Sequence, residues 1–113
     1  MLAKAALPSL DTLELNDSDL DDACVEALVE APFFARLRSL ELGWNEGITA
    51  RSVALVLSKG RALERLGIRR IGAEPGDLKS LAGISQSLRR LHVAPQLERA
   101  ALDAFGSAVE ITS

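Results

Sequence analysis

Two glutamates stand at matching places in two similar stretches of the chain, and paired carboxylates are a common source of acid–base chemistry. Glu14 follows Leu13 in the first stretch, and Glu41 follows Leu40 in the second. If the two side chains lay close together, their repulsion would raise one pKa and place a proton donor beside a base. The neighbouring residues imply an open surface without a substrate pocket. A solvated pair of acidic side chains is therefore the favoured interpretation.

Four closely spaced aspartates after the first glutamate are typical of a calcium-binding loop. With Asp17 in the first position of such a loop, Asp19 and Asp21 also fit as ligands. The sixth position requires Gly and holds Asp22, and the twelfth requires Glu and holds Leu28. The pattern fails at its most restrictive positions, and capping of a following helix explains the aspartates better.

The chain has a single histidine, His92, and a single cysteine, Cys24. The repeat described below places them on a strand and on a helix, so they cannot form a nucleophilic pair or a metal site together. Cys24 is expected to be a small buried apolar residue. The sequence contains neither a glycine-rich phosphate loop nor a GxSxG motif. It therefore predicts a protein that is not an enzyme and that binds no metal or cofactor.

The dominant pattern is a repeat, found by aligning the chain with itself. Four windows begin at Leu10, Leu37, Leu63 and Leu88, at spacings of 27, 26 and 25 residues. An aliphatic residue occupies the first, fourth and sixth position of every window. The twelve positions are Leu10, Leu13, Leu15, Leu37, Leu40, Leu42, Leu63, Leu66, Ile68, Leu88, Leu91 and Val93. Agreement at all twelve is far beyond chance and indicates a repeated packing arrangement.

Each window predicts a short strand, because its fourth and sixth positions share one face of an extended chain. Parallel strands stacked about 4.8 Å apart would build a continuous aliphatic column. The connecting segments 21–31, 48–58, 75–85 and 96–105 predict crossover helices of two to three turns. Thr49 suits the N-cap of the second helix. A fifth strand is predicted at residues 108–112.

These windows resemble the leucine-rich-repeat family, and the helical linkers are similar to its ribonuclease-inhibitor-like branch. The resemblance implies an α/β solenoid with a parallel β-sheet on the concave side and helices on the convex side. It also implies a scaffold that binds mostly through concave residues. The family's ninth position is usually Asn. Only the second repeat matches it: the four residues are Ser18, Asn45, Ile71 and Gln96.

The chain is predicted to be one leucine-rich-repeat domain covering residues 1–113. Repeats are expected at 10–36, 37–62, 63–87 and 88–105, with a capping strand in 106–113. Residues 1–9 are either an N-terminal cap or the remnant of a preceding repeat.

The third, fifth and seventh positions of each window should point away from the helices. They are Thr12, Glu14, Asn16, Ser39, Glu41, Gly43, Arg65, Gly67, Arg69, Arg90, His92 and Ala94. The first strand is acidic and the later strands are rich in arginine, so the face has a charge gradient that can orient a partner. Gly43 and Gly67 are expected to be neighbours that leave a hollow beside Trp44.

A partner-binding patch is predicted on this face because Trp and Arg are the residue types most enriched at binding hot spots. Its six residues are Trp44, Glu41, Arg65, Arg69, Arg90 and His92. The competing interpretation is that Trp44 folds back over its turn and that the arginines are merely solvated.

A non-catalytic protein-protein interaction module in the cytoplasm is the predicted function. A net charge of −3 and the scarcity of aromatic residues argue against nucleic acid, and no apolar run is long enough to span a membrane. The alternative is an architectural segment, or a fragment of a longer leucine-rich-repeat protein, with no binding site of its own. Unpaired sheet edges could also support a homo-oligomer.

Overall fold

A computed structural model describes residues 11–81, 83–84 and 87–113 as a sheet covered on one side by helices. The strands are β1 (Thr12–Glu14), β2 (Ser39–Glu41), β3 (Arg65–Gly67), β4 (Arg90–His92) and β5 (Glu110–Thr112). The helices are α1 (Asp22–Leu28), α2 (Ala50–Lys59), α3 (Leu78–Leu81) and α4 (Glu98–Phe105). Single 3₁₀ turns lie at Phe34–Arg36, Pro75–Asp77, Pro95–Leu97 and Gly106–Ala108.

The five strands are all parallel and lie in the order of the sequence, from β1 to β5. Their central residues are in register: Leu13, Leu40, Leu66, Leu91 and Ile111. Leu10 lies outside the described residues. Of the other repeat aliphatics, Leu15 is partly buried and the remainder are buried. The predicted α/β architecture with a parallel sheet and an aliphatic column is confirmed.

Three of the four crossover helices agree with the sequence pattern. The Asp21 side chain accepts a hydrogen bond from Cys24 N at 2.9 Å and caps α1. Thr49 caps α2 by accepting from Arg51 N at 3.3 Å. Helix α4 ends before Gly106, whose φ of 65° is a conformation that glycine adopts without strain.

The third crossover is shorter than predicted. After a 3₁₀ turn at Pro75–Asp77, the described α-helix covers four residues, Leu78–Leu81. Asp77 accepts a hydrogen bond from Glu74 N at 2.9 Å and forms a capping box, which fixes where the segment starts. Gly83, which disfavours helix, already lies in a turn. The prediction of two to three turns is therefore wrong for this segment.

Two predicted burials are also wrong. Cys24 is exposed, because the apolar face of α1 is carried by Val25 and Leu28 and Cys24 lies beside that face. Ala94 was expected on the open face but is 1% exposed, because the chain turns there into the 3₁₀ turn that begins at Pro95. Residues 1–10, with the predicted N-terminal cap, lie outside the described residues.

Among the described helices, none combines the length and the apolar composition that crossing a membrane requires.

Candidate functional site on the strand face

The surface of the sheet that points away from the helices is called here the strand face. Its side chains alternate with the buried column along each strand, as the period of two requires. Parallel register aligns equivalent residues of neighbouring strands in rows across this face. One row holds Thr12, Ser39, Arg65, Arg90 and Glu110, and the next holds Glu14, Glu41, Gly67, His92 and Thr112.

The second row contains the tightest packing on the strand face. Glu41 pairs with Gly67, and its carboxylate occupies the space in which a Cβ at Gly67 would stand. His92 lies on the other side of Gly67, and its Nδ1 is 2.8 Å from Thr112 Oγ1. Glycine at this position therefore allows the Glu41 side chain to lie across the sheet towards the histidine.

A shallow cavity of about 270 Å³ opens above this row. It is called the Glu41 cavity, and its lining residues are Ser39, Glu41, Arg65, Leu66, Arg90, His92 and Thr112. Four residues of the predicted patch, Glu41, Arg65, Arg90 and His92, are thus brought together. Arg90 is also paired within the sheet, with its Nη2 3.1 Å from Glu110 Oε1.

Burial raises the pKa of the Glu41 carboxyl above its ordinary value. The positive charge that His92 can carry acts in the opposite direction, and the neighbouring Glu14 carboxylate adds to the increase. No described residue donates a hydrogen bond to this carboxylate within 3.5 Å. Glu41 is therefore a half-buried acid whose charged form the fold does not fully stabilise.

The remaining two patch residues, Trp44 and Arg69, lie beyond the carboxyl ends of the strands and do not line the Glu41 cavity. Trp44 is 48% exposed. The guanidinium carbons of Arg69 and Arg70 lie 5.9 Å and 5.0 Å from the centre of its ring. Both distances fall within the range of cation–π attraction. Trp44, Arg69 and Arg70 are called the Trp44 cluster below.

The hollow expected beside Trp44 depended on Gly43 and Gly67 lying side by side. Gly43 and Gly67 are not neighbours, because the register pairs Gly67 with Glu41. A Cβ at Gly43 would meet the Arg69 carbonyl oxygen at 3.0 Å and Asn16 Oδ1 at 3.2 Å. Each of the two glycines therefore allows close approach of its neighbours.

Asn45 holds the turn that presents Trp44. It is 1% exposed. Its Oδ1 accepts hydrogen bonds from Ser18 N and Leu20 N, both at 3.0 Å. Its Nδ2 donates to the carbonyls of Leu15, Leu42 and Gly43 at 2.9 to 3.0 Å. One side chain thus ties the turns after β1 and β2 together.

Two features of the structure were missed from the sequence, one in the Trp44 cluster and one between the helices. Arg70 was not part of the predicted patch, although it occupies the same place in its repeat as Trp44 and lies against the Trp44 ring. The second is a contact between helices: the Asp22 carboxylate accepts hydrogen bonds from Thr49 N at 2.9 Å, Thr49 Oγ1 at 2.8 Å and the Ser52 hydroxyl. Partial burial opposes ionisation of Asp22, but these hydrogen bonds outweigh it and lower its pKa.

No group of three or more His, Cys, Asp or Glu side chains is placed to hold a metal ion in the described part of the chain. The chemistry of the strand face is that of an open surface with arginine, tryptophan and carboxylate side chains.

Comparison with solved structures identifies proteins of the same fold. A leiomodin-1 structure described as actin-binding site 2 matches with a TM-score of 0.71 and 12% identity, over 93% of this chain and 70% of that one. The tropomodulin C-terminal domain of Caenorhabditis elegans matches with a TM-score of 0.69 and 15% identity, over 93% and 74% of the respective chains. No protein-family model matches the sequence, and no characterised protein is significantly similar to it in sequence. At these identities the likeness shows that this chain shares its fold with the leiomodin-1 and tropomodulin domains.

Proposed function

We propose that this chain is a leucine-rich-repeat solenoid of the ribonuclease-inhibitor-like type that binds a partner protein on its strand face, without catalysis. The observation that carries the proposal is that, among the residues the structure describes, the helices lie on one side of the five-stranded sheet. The other side presents the Glu41 cavity, and the Trp44 cluster lies beyond the carboxyl ends of β2 and β3. A rigid sheet that holds such residues in fixed positions needs little reorganisation to bind.

The charge distribution on the strand face supports a protein partner. Asp11, Glu14 and Asp17 are exposed on and beside β1, whereas Arg65 and Arg70 are exposed on and beside β3. Opposite charges at the two ends of a binding surface steer and orient a complementary partner. The gradient is shorter than the sequence implied, because Glu110 pairs with Arg90 at the far strand.

Actin is the first partner to test, because the leiomodin-1 domain of the same fold is described as an actin-binding site. A cytoplasmic location suits this proposal. Co-sedimentation of the purified chain with actin filaments is the direct measurement. An absence of co-sedimentation removes filamentous actin as a partner and leaves the proposed binding surface to be tested with other proteins.

Affinity capture from native extract tests the surface itself. The variant Trp44→Ala with Arg69→Ala removes two patch side chains, and Lys79→Ala with Arg99→Ala removes two exposed cations from α3 and α4 as a matched control. We expect one protein to be retained by the wild type and the control, lost by the patch variant, and released as ionic strength rises. Equal retention by the patch variant contradicts the proposed surface.

The alternative function is an architectural segment of a longer solenoid, or an assembly unit that pairs through the edges of its sheet. Both edge strands, β1 and β5, have one neighbour among the described strands. An unpaired edge can add a strand from another chain. Sedimentation at high protein concentration tests the assembly unit, because self-association through an edge makes the apparent mass rise with concentration. A chain that stays monomeric excludes pairing through its sheet edges.

A further inference from the structure

The turns after β1, β2 and β3 share an unusual backbone conformation. Asp17, Trp44 and Arg70 occupy the same place in successive repeats, and their φ angles are 52°, 61° and 56°. Left-handed backbone is adopted most easily by Gly and by Asn or Asp, and it is a real outlier for a bulky side chain. The first repeat follows this preference with Asp17. The second and third repeats place a tryptophan and an arginine where smaller residues would fold with less strain.

Burial does not explain the choice of these two residues. Trp44 is 48% exposed and Arg70 is exposed, so neither contributes a side chain to the core. The backbone at Trp44 is held firmly nonetheless, because Trp44 N donates to the Arg69 carbonyl at 2.6 Å and Asn45 donates to the Leu42 and Gly43 carbonyls of the same turn. Strained residues that the surroundings hold in place occur preferentially at binding sites.

The Trp44 cluster also carries positive charge that the described part of the chain leaves unpaired. In the described part of the chain, the ion pairs at 4.0 Å or less join Arg51 to Glu26 and Arg90 to Glu110. Neither Arg69 nor Arg70 therefore has a carboxylate partner there. Arg69 Nε is buried and has no hydrogen-bond partner. The indole ring attracts both guanidinium groups. Such contacts restrict the side chains without neutralising their charge.

We infer that the Trp44 cluster is the anchor point for an acidic peptide segment of the partner protein. Two ring-held guanidinium groups present donors that match carboxylates in bidentate geometry. The exposed part of the indole ring provides an apolar surface for a neighbouring aliphatic side chain of the same segment. This inference rests on the proposed function and specifies the chemistry of the partner.

An acidic peptide fits better than a nucleic acid. Trp44 is the only tryptophan of the chain, so the cluster offers one ring and no second stacking platform. Glu46 is exposed two residues after Trp44, and Asp17 and Asp19 are exposed in the equivalent turn of the first repeat. These carboxylates would repel a long phosphate backbone, whereas a peptide can avoid them or place a cation there.

Fluorescence of the single tryptophan gives a direct test with the full chain. The ligands are a synthetic peptide that alternates Glu with Leu and a matched peptide that alternates Lys with Leu. We expect only the acidic peptide to produce a saturable change in Trp44 emission, with an affinity that falls as salt is added. Absence of saturable binding by the acidic peptide, or an equal response to the basic one, overturns the inference. Tighter binding of single-stranded nucleic acid than of the acidic peptide also overturns it.

Two variants separate binding from folding. Arg69→Gln with Arg70→Gln should weaken the acidic peptide by about tenfold or more, as loss of a hot spot does. Trp44→Asn, measured with a labelled peptide, should also weaken binding while its Tm stays equal to or above that of the wild type, since Asn tolerates left-handed backbone. Arg99→Gln on α4 is the matched control. A Trp44→Asn protein that is clearly less stable would show that the tryptophan serves the fold, and that result contradicts the inference.

Quenching by small ions tests the charge of the cluster on the wild-type chain. Relative to its quenching of free N-acetyltryptophanamide, iodide should quench Trp44 emission more strongly than caesium ion does on the same scale, because unpaired guanidinium groups attract the anion. Equal normalised quenching would overturn the claim that the cluster is electropositive. The inference can also fail while the proposed function holds: the patch variant would then lose its captured partner although no acidic peptide binds.

Discussion

The turns that follow β2 and β3 lie side by side, yet they are held by opposite kinds of interaction. In the turn after β2, the buried side-chain amide of Asn45 makes five hydrogen bonds to backbone groups of two repeats. Ile71 takes the same position in the second and joins the apolar core at 9% exposure. The helices that follow differ as well, with ten residues in α2 and four in α3.

This difference shows that one turn geometry can be reached in two ways. A buried amide is costly unless every polar atom has a partner, so the Asn45 turn tolerates little variation. An apolar residue gains from burial without directional demands, and its turn relies on packing and on backbone contacts such as Gly72 N to Ile48 O at 2.6 Å. We expect the Asn45 turn to be rigid and sensitive to substitution, and the Ile71 turn to be more tolerant.

The largest effect is expected for Asn45→Ala. This change strands two backbone donors and three carbonyls in a buried turn, and we expect it to lower the free energy of unfolding by about 3 kcal/mol. Urea denaturation at neutral pH measures it. The matched variant Ile71→Ala should cost about 2 kcal/mol, as truncation of a buried aliphatic side chain does. A smaller loss for Asn45→Ala than for Ile71→Ala would reverse the comparison.

A smaller effect is expected for Asp22→Asn, which weakens the contact between α1 and α2. We expect a loss of about 1 kcal/mol at neutral pH, since the hydrogen bonds to the charged group are partly exposed. Because the folded state lowers the pKa of Asp22 below 3.8, its contribution is complete above that value and disappears as pH falls below it. Denaturation of both proteins across acidic pH should therefore show their stabilities converging.

The control for this prediction is Asp21→Asn. The Asp21 side chain caps only its own helix, and asparagine is also a good N-cap residue, so we expect a smaller loss of stability at neutral pH than for Asp22→Asn. Equal losses of stability for Asp21→Asn and Asp22→Asn would show that the hydrogen bonds from Asp22 to α2 add nothing beyond helix capping.

The smallest effect is expected for Glu41→Gln on the strand face. The folded state raises the pKa of Glu41 above 4.5, so wild-type stability should increase as pH falls through the raised value, with the gain complete below 4.5. The glutamine variant lacks this dependence and should be at least as stable as the wild type at neutral pH. Urea midpoints of both proteins between neutral and acidic pH provide the measurement.

Glu14→Gln on the neighbouring strand is the matched substitution for Glu41→Gln. A Glu41→Gln protein that is less stable than the wild type at neutral pH would contradict the argument. It would show that the Glu41 carboxylate stabilises the fold.

The sheet could be predicted from the sequence because its cause is local and periodic. Aliphatic residues at fixed positions force neighbouring strands into one register, as when Leu40 of β2 pairs with Leu66 of β3. A shift by one residue would expose the entire aliphatic column. The helix start at Thr49 followed from a side chain that satisfies its own helix terminus. Both depend on residues near each other in the repeat.

The failures concern details that the repeat does not determine. The burial of Cys24 depends on how far α1 is rotated about its axis, and the exposed side is only one position away from Val25. The length of α3 depends on competition between a strong start at Pro75–Asp77 and a glycine shortly afterwards. Neither has a periodic signal.

The candidate site was predicted only in its composition. The six patch residues were chosen from one face, but the structure divides them between the Glu41 cavity and the Trp44 cluster. The direction of a long side chain decides this division, as when Glu41 lies over Gly67. Arg70 could have been found by treating equivalent turn positions as neighbours, since Trp44 precedes it by one repeat.

The sheet's short parallel strands also give the molecule a mechanical direction. Each strand contributes three residues, and its hydrogen bonds run along the line from β1 to β5. A force applied along that line acts on one row of bonds at a time, so the chain should yield repeat by repeat from an end. A force along the strands loads neighbouring rows in shear and meets greater resistance. A partner that grips the strand face across several strands would therefore brace the sheet against peeling, the direction in which it is weakest.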